Sequence, residues 1–370
     1  MKKTNPTKKI ILALIAIGLF GLIFKNFSDS KNQPASDSTK PTIKIGIAIP
    51  LTGKNMTATG NLQKNLVIYK KEELSKKDTK YNYEFLIEDS QFDSKRTALI
   101  SAKFLNQDKV DAIISFGSRI GNVISPEAER LKTIHLSACA SDAHVATGKY
   151  NFIEWTQPEA EVKRMFEEIK SLELKNIAII VANDAATLAM AHALEKQLTD
   201  ANIKNKKIAV NPEETDFRML ITKTELSNPD LYVLLTFESS TINFIKQAKE
   251  QSVKKTMTSI ETFNFLEDAS ILEGYWYVDP AELSGEFKQK IESYNQSDNI
   301  FALGNFYNSL GLLIEAFENS ETKEQAVDAL ANIKKYQGVT GTLIQDDNGI
   351  FQSKAIIKKI INGKPVVIKE

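Results

Sequence analysis

The 370-residue chain contains one cysteine, Cys139, and a single thiol excludes an intramolecular disulfide or a metal site built from several thiolates. Its three histidines, His135, His144 and His192, are scattered, and none has the spacing of a paired metal-binding motif. The sequence therefore predicts neither a catalytic metal nor another cofactor.

An excess of one charge is also missing, because Lys plus Arg and Asp plus Glu number 47 each. Proteins that bind nucleic acid usually carry a basic excess, so no nucleic-acid partner is expected. Hydrophobic residues make up 42% of the chain, which is enough for one large core or two medium-sized cores.

The N-terminus carries an uncharged apolar run, residues 10–24, preceded by lysines. Its length fits the core of a signal peptide, but no clear cleavage pattern follows, so both a cleaved signal and a retained anchor stay open, with the anchor preferred. The positive charge before the run places the rest of the chain outside the cytoplasm. We expect residues 1–27 to be a signal or membrane anchor and the polar residues 28–41 to be a disordered linker.

From Thr42 onward, short apolar runs alternate with longer amphipathic ones, a pattern typical of βα units around a parallel sheet. Two consecutive series of four strands predict two similar lobes. Near the end of the chain, Asp346–Gly349 and the pair Asn362-Gly363 predict turns between hairpin strands. The predicted strands are 43–49, 83–87, 112–116, 133–136, 176–181, 207–210, 231–235 and 256–260.

Motifs of catalysis are missing as well: the chain has no nucleophile elbow, phosphate-binding loop, dinucleotide fingerprint or metalloprotease helix. The neighbouring acids Glu88 and Asp89 would point to opposite faces of a strand and could not share a substrate. An enzyme is therefore not expected.

Open α/β sheets bind ligands beyond the carboxyl ends of their strands, and three loops there carry suitable side chains. Ser118 and Arg119 follow the third predicted strand and precede a helix, a combination that suits an anionic group. Cys139 and Ser141 lie in the small, hydroxyl-rich loop after the fourth strand. Glu261 follows the last strand of the second series, where a carboxylate could neutralise an ammonium group. The alternatives are a helix cap for Ser118, an ordinary loop at Ser141 and a surface glutamate at Glu261.

The segment Ile43–Gly53 (IKIGIAIPLTG) resembles the opening strand and turn of type I periplasmic binding proteins. Among these, the branched-chain amino-acid (Leu/Ile/Val) receptors of ABC transporters are the most similar group. The resemblance covers about residues 42–368. It recurs in LSACAS (136–141), TDFRML (215–220), NPDL (228–231), FIKQA (244–248), EGY (273–275), YNSL (307–310) and GVTG (338–341).

The resemblance implies an α/β fold of two doubly wound parallel-sheet lobes joined by three hinge crossovers, near residues 154–157, 277–280 and 340–343. Lobe 1 would comprise residues 42–156 and 279–340, and lobe 2 residues 157–278 and 341–370.

The resemblance also implies roles for the loop residues. The ligand carboxylate would meet the hydroxyls of Ser118 and Ser141. The backbone carbonyl of Cys139 and the carboxylate of Glu261 would face the ligand ammonium. Arg119, beside Ser118, would be a second contact for an anion and would favour a more acidic ligand.

The function implied is that of an exported solute receptor without enzymatic activity. It would capture a small polar metabolite, above all an amino acid, and deliver it to an ABC-type permease, with the N-terminal segment contacting the membrane. Two other hypotheses stay open: a membrane-anchored sensor domain that signals to a membrane partner, and an enzyme such as an amidase or racemase that uses the same cleft.

Overall fold

The computed structural model describes residues 40–53, 56–266, 268–281, 283, 285–294 and 302–369. The expected signal or anchor (1–27) lies outside the described residues, as does the expected linker up to residue 39. No helix within the described part of the chain is both long enough and apolar enough to cross a membrane.

The described residues form an alternation of strands and helices. The strands are β1 (Thr42–Ile49), β2 (Asn82–Asp89), β3 (Ala112–Phe116), β4 (Ile134–Ala138), β5 (Asn151–Glu154), β6 (Asn176–Ala182), β7 (Lys204–Val210), β8 (Leu231–Leu235), β9 (Thr256–Thr258), β10 (Trp276–Pro280), β11 (Lys335–Gly338), β12 (Gly341–Gln345), β13 (Ile350–Gln352), β14 (Ala355–Ile361) and β15 (Lys364–Lys369). The α-helices are α1 (Thr57–Leu74), α2 (Ser94–Ala102), α3 (Ser118–Leu131), α4 (Pro158–Ser171), α5 (Ala185–Asp200), α6 (Arg218–Glu225), α7 (Glu238–Glu250), α8 (Gly285–Tyr294), α9 (Leu303–Glu318) and α10 (Ala326–Asn332).

The larger lobe is built on an eight-stranded sheet with the order β11-β12-β13-β5-β4-β3-β1-β2. Strands β1 to β5 are parallel, and every residue of β3 and β4 is buried. Parallel strands covered by helices on both faces need apolar side chains on both, which is why the sequence shows continuous apolar runs here. Helix α9 packs in the same core through Phe306, Leu310 and Phe317, so the late helices return to the larger lobe as predicted.

The smaller lobe contains a four-stranded parallel sheet with the order β7-β6-β8-β9 and a three-stranded antiparallel sheet with the order β10-β14-β15. A single bridge between Ile260 and Val278 joins the two sheets. Asn362 and Gly363 have φ values of 54° and 71° and form the predicted hairpin turn between β14 and β15.

The chain passes between the lobes three times: after β5, after β10 and between β13 and β14. The first passage lies at the predicted position. The second follows residues 277–280, which are part of β10, and the third lies at residues 353–354 and not near 340–343. Gly341, with a φ of +93°, reverses the chain into the β11–β12 hairpin, and β13 then pairs with β5 through Ile350 and Ile153. Residues 341–352 therefore belong to the sheet of the larger lobe, because pairing with β5 buries β13 in that core.

A buried polar network fixes strands β3, β4 and β5 to one another. The hydroxyl of Ser115 lies 2.8 Å from Nε2 of His135, and Nδ1 of His135 lies 3.0 Å from Oδ1 of Asn151. The amide nitrogen of Asn151 already donates to the carbonyls of Ser125 and Thr147, so its oxygen must face the imidazole and Nδ1 must carry the hydrogen. The ring is neutral near pH 7 because burial disfavours its charged form.

We expect this network to make the protein acid-sensitive. Burial lowers the pKa of His135 from 6.5 to about 4, so the folded state resists a proton that the unfolded chain accepts. The resulting stability is present above pH 6.5 and is lost as the pH falls towards 4, a change of about 3 kcal/mol. Denaturant unfolding at a series of pH values would measure it. An equally steep decline in His135→Asn, with the variant folded at pH 7, would contradict the assignment.

Candidate functional site

The cleft side of the larger lobe begins where β3 ends. Gly117 has a φ of +79°, which glycine tolerates without strain, and it turns the chain directly into α3. This turn leaves Ser118 as the first residue of the helix and only 1% exposed. Its hydroxyl accepts a hydrogen bond of 3.1 Å from the backbone N–H of Asp142. Ser118 therefore ties together the two loops that sequence analysis singled out, next to the free amides of a helix N-terminus.

The loop after β4 brings Cys139 and Ser141 to the same place. Cys139 has a left-handed backbone (φ 63°), and its N–H donates to the carbonyl of Glu154. Ser141 is 2% exposed, and its hydroxyl is bonded to the carboxyl group of Glu261. Burial and four nearby carboxyl groups raise the pKa of the Cys139 thiol, which keeps it protonated and unreactive.

Glu261 comes to this point from the smaller lobe. It follows the bridge between Ile260 and Val278, has a positive φ of 60° and is 3% exposed. Its carboxyl group accepts a hydrogen bond from the indole N–H of Trp155, which lies in the first passage between the lobes. Burial raises the pKa of Glu261 to about 8.

A second carboxyl group, that of Glu161, lies beside Glu261. Glu161 belongs to the first two turns of α4 and has no exposed surface. No N–H or hydroxyl of the described residues donates to either of its oxygens. A hydrogen bond between two carboxyl groups needs one proton, and because this bond raises the pKa of Glu161 and lowers that of Glu261, Glu161 is the group that carries it. Burial, and then repulsion by Glu261, raise its pKa well above the usual range.

Two further carboxyl groups near the passages between the lobes have partners. Asp279 accepts hydrogen bonds from the ammonium of Lys358 at 2.6 Å and from the side-chain amide of Asn264 at 2.7 Å. Glu154 accepts hydrogen bonds from the side-chain amides of Asn305 and Asn308 at 3.3 and 3.2 Å. Burial still raises the pKa of Glu154 to about 8.

The side chain of Arg119 does not point to the place where the loops of Ser118 and Ser141 meet. Its Nε donates to Asp184 at 3.1 Å, across the cleft at the start of α5, and its guanidinium lies 4.9 Å from the ring centre of Phe92. The predicted anion contact would therefore require this ion pair to open. The pair instead links the larger lobe to the smaller one at the edge of the cleft.

A cavity of about 470 Å³ lies beside the passages and is lined from both lobes, with Trp155, Asp279 and Asn305 among its walls. Trp155 is shared between this cavity and the Glu261 carboxyl group. Among the described residues, no group of three or more His, Cys, Asp or Glu side chains is arranged to hold a metal ion.

The structure thus brings Ser118, Cys139, Ser141 and Glu261 together and adds residues that sequence analysis missed. Trp155, one of two tryptophans, directly follows the strand at the first predicted crossover, and that position was a usable signal. Glu161 gave no signal, because an acid early in a helix is common and is favoured by the helix dipole.

Comparisons with known proteins agree with this architecture. A family model described as periplasmic binding protein matches residues 42–364. A leucine-binding protein from Thermotoga maritima superposes with a TM-score of 0.79 at 17% identity, over 88% of this chain and 97% of that one. A branched-chain amino-acid transporter substrate-binding protein from Streptococcus pneumoniae, in complex with isoleucine, gives 0.79 at 18% identity, over 89% and 100%. A solute-binding protein of an ABC transporter from Rhodopseudomonas palustris, in complex with benzoate, gives 0.78 at 13% identity, over 89% and 96%.

Proposed function

The chain belongs to the periplasmic binding protein family, and from this we propose that it is an extracytoplasmic receptor for a small amino compound, above all an amino acid. The receptor would capture its ligand between the lobes, release it unchanged and deliver it to an ABC-type permease. Two similar structures, described as binding leucine and isoleucine, support an amino acid. Another, in complex with benzoate, makes an aromatic acid the competing ligand class.

The observation that carries the proposal is the position of Glu261 opposite two buried hydroxyl groups. An α-amino acid carries its ammonium and its carboxylate on the same carbon atom. Glu261 offers a carboxylate for the first group, and Ser118, with the helix N-terminus behind it, offers donors for the second. An aromatic acid has no ammonium group and would leave the Glu261 carboxyl group without a counter-charge.

Closure of the lobes brings all the binding groups into contact with one ligand, and these contacts supply the binding free energy. Ser118 and Ser141 come from the larger lobe and Glu261 from the smaller one, so only a closed cleft joins all three to one ligand. Closure also expels water, which strengthens each charge-assisted hydrogen bond. The Arg119–Asp184 ion pair spans the cleft edge and favours this closed arrangement.

A thermal-shift screen of the proteinogenic amino acids together with benzoate and 4-hydroxybenzoate would test the proposal. A ligand that binds only the folded state raises the unfolding temperature, and we expect this from amino acids. A shift with the benzoates and with no amino acid would contradict it.

Ser118 is expected to contribute to the carboxylate side of the site. Ser118→Ala removes a hydroxyl that donates to a charged group, and we expect binding of the amino acid found in the screen to weaken by about 1.5–3 kcal/mol. Isothermal titration calorimetry would measure the change. Ser94→Ala, at an exposed serine that begins α2, is the matched control and should bind like the wild type. Equal affinities for all three proteins would remove Ser118 from the site.

A further inference from the structure

Glu161 has no structural role that accounts for its burial. It is completely buried in α4, yet neither oxygen accepts a hydrogen bond from a described residue. It does not cap the helix, because the N-cap is Gln157, whose N–H is bonded to the side chain of Gln352. Its one hydrogen bond runs to another buried carboxyl group, that of Glu261, so the pair holds a proton and no donor stabilises the charged form of Glu161.

The charged groups that act most strongly on Glu161 are carboxyl groups. They are Glu261 from the smaller lobe, Asp279 from β10 and Glu159 from its own helix. Carboxyl groups also surround the thiol of Cys139, whose pKa is raised by burial and by the charges of Glu261, Glu154, Glu161 and Asp279. These four carboxyl groups therefore converge on one region of the cleft.

Within the described residues, positive side chains balance this charge only in part. Lys358 is engaged by Asp279 at 2.6 Å, and Arg119 is engaged by Asp184. An amino acid with a single ammonium adds one positive and one negative charge, so its ammonium would pair with Glu261 and bring no counter-charge for Glu161. Glu161 would then have to stay protonated, since an unpaired buried ion costs several kcal/mol.

We propose that the ligand of this cleft carries two positively charged groups, one bound by Glu261 and the other by Glu161, as in a basic amino acid or a short diamine. This inference rests on the proposed function, because it assigns a ligand class to the same site. The ring of Trp155, whose N–H donates to Glu261, offers an aromatic surface for a cation beside that carboxylate.

Pairs of ligands that differ only in the second cation provide the test. Isothermal titration calorimetry at pH 8 would compare L-lysine with L-norleucine and 1,4-diaminobutane with n-butylamine, on the full chain. We expect the dicationic member of at least one pair to bind at least tenfold more tightly. The lysine pair would indicate a basic amino acid, and the amine pair a diamine.

Variants at residue 161 make the test specific. Glu161→Gln should remove the preference for the second cation while binding of the single-cation ligand is kept, and the free variant should unfold at the same or a higher temperature. Glu161→Asp should keep part of the preference. Glu167→Gln, at a half-exposed glutamate on the same helix, is the matched control and should keep all of it.

Three results would overturn the inference. They are equal affinities within both ligand pairs, a Glu161→Gln variant that keeps the preference, and a variant that loses affinity equally for one-cation and two-cation ligands. In each of these cases norleucine or another amino compound still binds, and the proposed function stands. Binding of no amino compound at all would overturn the proposed function together with the inference.

Discussion

Glu261→Gln is expected to weaken amino-acid binding by about 2–5 kcal/mol, the cost of removing one partner of a buried, hydrogen-bonded charge pair. Glutamine keeps the shape of the side chain and can still accept the hydrogen bond from Trp155, so the loss would reflect charge. The ligand ammonium would then be buried with a neutral amide in place of a carboxylate. Calorimetric titration of the wild type and the variant with the same amino acid would measure the difference.

The matched control for this substitution is Glu250→Gln, at an exposed glutamate near the end of α7 whose partner is Arg218. It removes one negative charge from the same lobe and should leave the affinity unchanged. If Glu261→Gln binds as tightly as Glu250→Gln, the ammonium does not lie at Glu261. Loss of affinity in both variants would indicate a general effect of lobe charge.

The affinity for an amino acid should rise with pH up to about pH 8. Burial raises the pKa of Glu261 to about 8, so in the free protein at lower pH this group carries a proton that the ligand ammonium must displace. For one displaced proton the affinity should therefore fall by about 50-fold between pH 8, where half of the Glu261 groups are ionised, and pH 6. Calorimetry in buffers of different ionisation enthalpy should detect the released proton directly.

The stability of the free protein should follow the opposite trend. Because the pKa of Glu261 is raised above its unfolded value, its contribution is present below about pH 4.5 and is lost as the pH rises through 8. The complex of the protein with its ligand should not lose stability as the pH rises through 8. In Glu261→Gln both the pH dependence of affinity and the proton release should be much smaller. An affinity independent of pH between 6 and 8 in the wild type would contradict the protonated free site.

Much of the fold followed from local patterns. The apolar runs at β3 and β4 identify buried parallel strands, because helices cover both faces of such a sheet. The pair Asn362-Gly363 identifies its hairpin turn, because both residues tolerate a positive φ. The third passage between the lobes was placed too early, since the choice of β13 to pair with β5 depends on a partner almost two hundred positions away in the chain.

The residues of the candidate site also divide into some that the sequence made predictable and others that it did not. Ser118 and Glu261 were identifiable because each directly follows a strand, where the topology of an α/β sheet puts ligands. The side-chain direction of Arg119 was not, because it depends on Asp184 in the other lobe. The role of Glu161 could not be predicted for a related reason: its hydrogen-bond partner Glu261 follows a strand a hundred residues further along the chain.

The sequence by itself determined the alternation of strands and helices, the presence of two lobes and the loops that reach the cleft. These features depend on side-chain periodicity and on turn residues, which act over a few neighbours. Only the tertiary structure decided which charges meet: the paired Glu161 and Glu261, the engaged Arg119 and the placement of Trp155 between the lobes. Electrostatic interactions of this kind depend on distance and burial in space, and neither is written in the order of residues along the chain.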